Sequence, residues 1–174
     1  MAPVNDWDLL RREMNQKEVP GLVARNAVDS DLRQLASLTG LRSLDLSFSK
    51  ITDMGLAYLK DMSRLEHLNL RETEITDAGL KSLQTLTGLR ELRLGNTQIT
   101  DAGLKHLKGL AELQVLGLGR TRITDAGLEQ LKALTGLQQL TVPLNPSQVT
   151  DAGVRRLQQA LPNLTIQRTP LGAN

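Results

Sequence analysis

Cysteine is absent from the 174 residues, which excludes disulfide caps and cysteine-ligated zinc. Aromatic residues are nearly absent too. Trp7, Phe48 and Tyr58 are the whole set, so the core has to be aliphatic. Two histidines, His67 and His106, are too few for a histidine-rich metal site. Charge of one sign is also lacking: the formal net charge is +2 and both signs are mixed along the chain, which points neither to nucleic acid nor to an acidic membrane surface. No apolar run approaches the length of a membrane span. Residues 1–15 carry Asp6, Asp8 and Glu13 and no apolar stretch, unlike a secretory signal. No phosphate loop of the Gly-x-x-x-x-Gly-Lys type occurs. These absences lead us to expect a cytoplasmic monomer without cofactor, metal, nucleic acid or membrane as a partner.

What is present is leucine, at about one position in five, well above average usage. It is arranged around one phrase. Ile-Thr-Asp-Ala-Gly-Leu begins at Ile75, Ile99 and Ile123, Ile-Thr-Asp-Met-Gly-Leu at Ile51, and Val-Thr-Asp-Ala-Gly-Val at Val149. The first four starts are 24 residues apart, a period that marks a solenoid. Each phrase follows Leu-x-x-Leu-x-Leu and precedes x-x-Leu-x-x-Leu.

The unit beginning at Leu65 shows how the pattern reads physically. Leu65, Leu68 and Leu70 point inward from a short strand, and His67, Asn69 and Arg71 point outward. Thr76 or Asp77 caps a helix, with the acid at the favourable end of the dipole. Leu80, Leu83 and Leu86 form one helical face, and Gly88 reads as a left-handed stop. Gly79 sits in the first helical turn, where glycine costs about 0.5–1 kcal/mol against alanine. The same slot holds Gly55, Gly103, Gly127 and Gly153, which implies a steric need, expected to be neighbouring backbone passing close by. Residues 21–40 read as a worn half repeat, with Asp29, Leu32, Leu35 and Leu38 in matching slots. The repeat at Leu137 is irregular, with two extra residues within Pro143–Ser147, and a last strand contains Leu164 and Ile166. Residues 1–20 are expected to form a capping helix with Trp7, Leu10 and Met14 on one stripe. Residues 21–168 form the repeat domain and 169–174 a tail.

These residues resemble the leucine-rich repeat family over about residues 21–168. The resemblance implies an α/β right-handed solenoid, a short horseshoe with parallel strands on the concave face and helices on the convex face. The slot that commonly holds Asn or Cys, three residues after the last strand leucine, holds Ser49, Thr73, Thr97 and Thr121 here. Their hydroxyls are suited to satisfying buried backbone groups. The phrase itself is similar to repeats of bacterial proteins, some delivered into host cells, and of F-box substrate adaptors, although residues 1–20 are too short for an F-box.

Equivalent outward positions stack about 4.8 Å apart in a parallel sheet. One row is Ser43, His67, Glu91, Val115 and Gln139. The next is Asp45, Asn69, Arg93, Gly117 and Thr141, and the third is Ser47, Arg71, Gly95, Gly119 and Pro143. Ser43, His67 and Glu91 have the residue types of a nucleophile, base and orienter, but an open sheet offers no oxyanion hole and no exclusion of water, so no enzyme is expected. His67, Asn69, Arg71, Glu91 and Arg93 form a charged centre beside Gly95, Gly117 and Gly119, which read as a notch of bare backbone. This face is the candidate surface for another protein. The competing readings are substrate recognition for a ubiquitin-ligase-like effector and a scaffold or designed array with no dedicated ligand.

Overall fold

The computed structural model describes residues 21–145 and 148–169. The expected helix carrying Trp7, Leu10 and Met14, the Pro146–Ser147 part of the irregular loop and the tail beyond Thr169 lie outside the described residues. Among the described residues seven strands form one parallel sheet in sequence order: β1 (Gly21–Val23), β2 (Ser43–Asp45), β3 (His67–Asn69), β4 (Glu91–Arg93), β5 (Val115–Gly117), β6 (Gln139–Pro143) and β7 (Thr165–Thr169). Six helices of the described residues alternate with them: α1 (Asp29–Leu35), α2 (Asp53–Leu56), α3 (Asp77–Leu80), α4 (Asp101–Leu104), α5 (Asp125–Leu131) and α6 (Asp151–Ala160). α2, α3 and α4 are single α turns, each continued by a 3-10 turn at Ala57–Leu59, Lys81–Leu83 and Lys105–Leu107. The 3-10 turn winds more tightly than the α turn and rises farther per residue toward the next inward leucine.

The expected register is present. Leu44, Leu68, Leu92, Leu116 and Leu140 are mutually aligned along the sheet. Leu65, Leu68, Leu70, Leu80, Leu83 and Leu86 are all buried in one continuous aliphatic core. Ser49, Thr73, Thr97 and Thr121 are buried as well, and each hydroxyl donates to the carbonyl three residues earlier, as Thr73 Oγ1 does to Leu70 O at 2.7 Å. These bonds stay within one coil. Among the described residues no buried side-chain nitrogen or oxygen lacks a partner.

The bonds that tie coil to coil come from the Thr-Asp of the phrase. Asp77 Oδ1 accepts the Thr100 N–H at 2.8 Å and Oδ2 accepts the Thr100 hydroxyl at 2.5 Å. The Asp29–Thr52, Asp53–Thr76, Asp101–Thr124 and Asp125–Thr150 pairs repeat that geometry. The threonine is the helix N-cap, its oxygen accepting from the residue two further on at α2 to α5. Each aspartate therefore begins its own helix and anchors the cap of the next one, a charge-assisted pair of bonds at a helix N-terminus. The Asp125–Thr150 pair spans two more residues than the others, so the irregular repeat keeps the ladder.

The glycine slot answers to the same ladder. A Cβ at Gly55, Gly79, Gly103, Gly127 or Gly153 would overlap the carboxylate of Asp29, Asp53, Asp77, Asp101 or Asp125 respectively, and at the first four also crowd a leucine methyl. The close neighbour is thus a side chain of the preceding coil and not the backbone expected from sequence. Gly88 departs from expectation too. It is not left-handed, and a Cβ there would stand at 3.5 Å from Ser63 O, an ordinary contact. The left-handed residues among those described are instead Asn26, Phe48, Glu72, Asn96 and Arg120, at φ 70, 60, 56, 55 and 58°, in the turns after β1 to β5.

The extra residues near Pro143 lengthen β6, which pairs with β7 out to Pro143 and Thr169. Thr169, assigned to the tail from sequence, is the last residue of that strand.

Candidate functional site on the strand face

Two of the three outward rows fall into register as read from sequence: Ser43, His67, Glu91, Val115 and Gln139 are successive partners, and so are Asp45, Asn69, Arg93, Gly117 and Thr141. Strand alternation places these two rows on the face away from the helices. In the third row Ser47 and Gly119 are buried, because the chain turns inward past the ends of β2 and β5, and Pro143 is buried within β6.

At the centre of this face Glu91 bridges His67 and Arg93. Its Oε2 lies 3.2 Å from His67 Nδ1 and its Oε1 accepts from Arg93 Nε. Burial pushes the Glu91 carboxyl up, but the Arg93 hydrogen bond and charge, followed by those of His67, outweigh it and hold the carboxyl below its ordinary value. A depressed carboxyl stabilises the fold above its unfolded value and loses that contribution as pH falls through the folded one. The stability difference between wild type and Glu91→Gln is therefore expected to be full at neutral pH and to close below about pH 4.5, the ordinary value. Urea midpoints of both proteins between pH 7 and pH 3 check it. A difference independent of pH would show that the cluster contributes nothing through ionisation.

The suspected Ser43–His67–Glu91 constellation is only half assembled. His67 and Glu91 are joined, but Ser43 makes no hydrogen bond to His67, and Arg93 occupies the other oxygen of Glu91. Asp45 Oδ1 accepts the Ser47 N–H at 2.9 Å and Asn69 Oδ1 the Arg71 N–H at 3.2 Å, so both side-chain oxygens brace the strand ends. Asp45 Oδ2 also stands 3.7 Å from Arg25 Nη2.

The sequence-predicted residues divide between two shallow depressions of about 310 Å³ each. The first is lined by Ser43, Asp45, His67, Asn69, Glu91 and Arg93. The second is lined by Arg71, Gly95, Gly117 and Gly119 among others and shares Arg93 with the first. The three glycines are not a bare notch. A Cβ at Gly95 would lie 3.5 Å from Arg71 Nε, and one at Gly117 3.7 Å from Arg93 Cγ, so each arginine lies over the glycine of the next strand. Gly119 is buried, and a Cβ there would meet Thr169 Oγ1 at 2.6 Å. That glycine admits the end of β7.

Sequence reasoning missed the rim. Glu72 and Asn96 line the second depression from the left-handed turn, as does Arg120, and Asn96 Nδ2 donates to Glu72 Oε2. The 24-residue spacing of this slot was the available signal, but its residues share no chemistry. On the opposite side of the molecule His106 contacts Gln84 through Nδ1. Burial, then Lys105 and Lys81, push its imidazole below the ordinary value. Among the described residues no helix is long and apolar enough to cross a membrane, and no group of three or more His, Asp or Glu is placed to hold a metal ion.

The model of the leucine rich repeat family matches residues 39–99. The chain is similar to an internalin from Listeria monocytogenes, with 29% identity and a TM-score of 0.66 over 82% of this chain and 38% of that one. It carries leucine-rich repeats. Two further structures share the fold: a leucine-rich repeat protein of Leptospira interrogans (24% identity, TM-score 0.61, 78% of this chain and 33% of that one) and a second Listeria internalin, internalin C2 (22%, 0.57, 92% and 77%). This leucine-rich repeat chain thus spans well under half the length of the first two. No curated protein sequence matches it. Leucine-rich repeat domains are generally protein-interaction modules.

Proposed function

We propose that this leucine-rich repeat protein is a monomeric binding module that holds another protein against its strand face, across His67, Asn69, Arg71, Glu91, Arg93, Gly95 and Gly117. The observation that carries this reading is the pair of adjoining depressions on the face opposite the helices, lined by those residues and joined at Arg93. The family's general role supports it, and so does the incomplete link between Ser43 and His67. Arginine is favoured at such a centre because its planar fork pairs with carboxylates and stacks on flat groups. Gly119 takes no direct part, because Thr169 covers it.

The test is affinity capture from a lysate of the protein's native cells, read by mass spectrometry. Arg71→Glu with Arg93→Glu is expected to abolish capture of the partner while circular dichroism remains unchanged, since both side chains are exposed. Charge reversal of Lys81 and Lys105, exposed on the helical side, is expected to leave capture intact. Should the helical variants lose the partner while the strand-face variants keep it, the working surface is the helical one.

A further inference from the structure

Four groups around the second depression carry charge, and they are not equivalent. Arg93 is held by Glu91. Glu72 is held by the Asn96 amide. Arg120 is engaged as well. The Arg71 guanidinium, by contrast, has no hydrogen bond or ion pair to any described residue. Arg71 is exposed, yet its course is defined: the absent side chain at Gly95 lets it lie across the next strand, with Nε 3.5 Å and Cγ 3.6 Å from where a Cβ would be. The stem is thereby supported and the fork is left at the depression with its donors unused. A guanidinium in that state is a ready partner for a planar anion.

The surroundings decide which anion. Asp45, Glu91 and Glu72 lie on the same face or its rim. A polyanion running across it would meet those carboxylates, and like charges brought together repel, so a nucleic acid or an acidic lipid surface is disfavoured. A single negative group entering at Arg71 avoids them. The depression, about 310 Å³, has room for a side chain and its adjoining backbone. Thr141, Gln167 and Thr169 supply neutral polar groups on its far side.

We propose that the depression between Arg71, Gly95 and Gly117 receives one aspartate or glutamate side chain of an extended segment of a protein partner, with the Arg71 guanidinium as its ion-pair anchor. This rests on the reading of the strand face as the binding surface and adds to it the chemistry of the partner. Gly95 is what allows the anchor to lie flat, and Gly117 does the same for Arg93 beside it.

The experiment is an NMR titration of the whole chain with two synthetic pentapeptides, acetyl-Gly-Ser-Glu-Ser-Gly-amide and its Gln counterpart. The Glu peptide is expected to shift the amide resonances of Gly95 and Gly117 and the Arg71 side-chain Nε–H. The Gln peptide is expected to bind about fivefold more weakly, the upper end for a partly exposed ion pair. Arg71→Gln is expected to bring the Glu peptide down to the Gln peptide's level, and added salt to weaken only the Glu peptide. Lys81→Gln with Lys105→Gln serves as the control for non-specific attraction and is expected to change nothing. Equal binding of the two peptides at these amides overturns the acidic-anchor inference and leaves the strand face as the binding surface. No shift at these amides with either peptide overturns the anchor itself, while the capture experiment decides the surface independently. Equal loss in the lysine control and in Arg71→Gln likewise overturns it, since attraction is then to net charge alone.

Discussion

Gly103→Ala is expected to destabilise the protein by about 2–3 kcal/mol, the upper part of the usual range for overpacking. An added methyl group would overlap the Asp77 carboxylate and stand 3.1 Å from Leu80 Cδ1. Asp77 cannot move aside freely, because both of its oxygens are committed to Thr100. The substitution therefore strains the core and breaks a coil-to-coil bond at once. Asp77→Ala alone is expected to cost about 1.5–3 kcal/mol through the lost charge-assisted bonds. In the double variant the alanine methyl at 103 occupies the space the carboxylate has left. The combined cost is then expected to fall short of the sum by more than about 1 kcal/mol, as for residues in contact. Urea denaturation of the four proteins measures the coupling. Additive costs would show that the glycine slot serves something other than the carboxylate.

The second large effect is in the interior of the sheet. Leu92→Ala is expected to cost about 2–5 kcal/mol, the range for truncating a fully buried leucine. Leu92 is 0% exposed and sits in register between Leu68 and Leu116, so neighbouring coils on both sides hold the cavity open. Lys81→Ala, on the exposed side of the 3-10 turn after α3, is expected to stay within about 0.5 kcal/mol of wild type. Denaturation midpoints report both, and comparable values for the two variants would falsify the placement of Leu92 in the shared core.

Most of the architecture is legible in the chain because the same local chemistry recurs at one spacing. Leu68 and Leu70 two apart, then Leu80, Leu83 and Leu86, state a strand followed by a helical face. The recurrence of that order 24 residues later dictates which strand lies beside which. Two of the three outward rows follow from the same register, so the placement of His67 beside Glu91 is legible from spacing alone. The inward hydroxyls of Ser49, Thr73, Thr97 and Thr121 are legible on the same grounds.

The rest depended on where side chains reach between coils. Nothing in the phrase says that its aspartate bonds forward to the next threonine and thereby forces the next glycine; Asp77, Thr100 and Gly103 meet only after the coils stack. The left-handed slot at Phe48, Glu72, Asn96 and Arg120 carries no glycine to mark it, while Gly88, which looks like such a mark, is not left-handed. The course of Arg71 over Gly95, and of Thr169 onto Gly119, is likewise a tertiary matter. By itself the sequence determined the period, the buried leucines and the residues on the strand face, because these follow from spacing along one coil. Only the tertiary structure decided which of those residues are already paired and which is left open, because pairing depends on distances between side chains that lie a whole repeat apart.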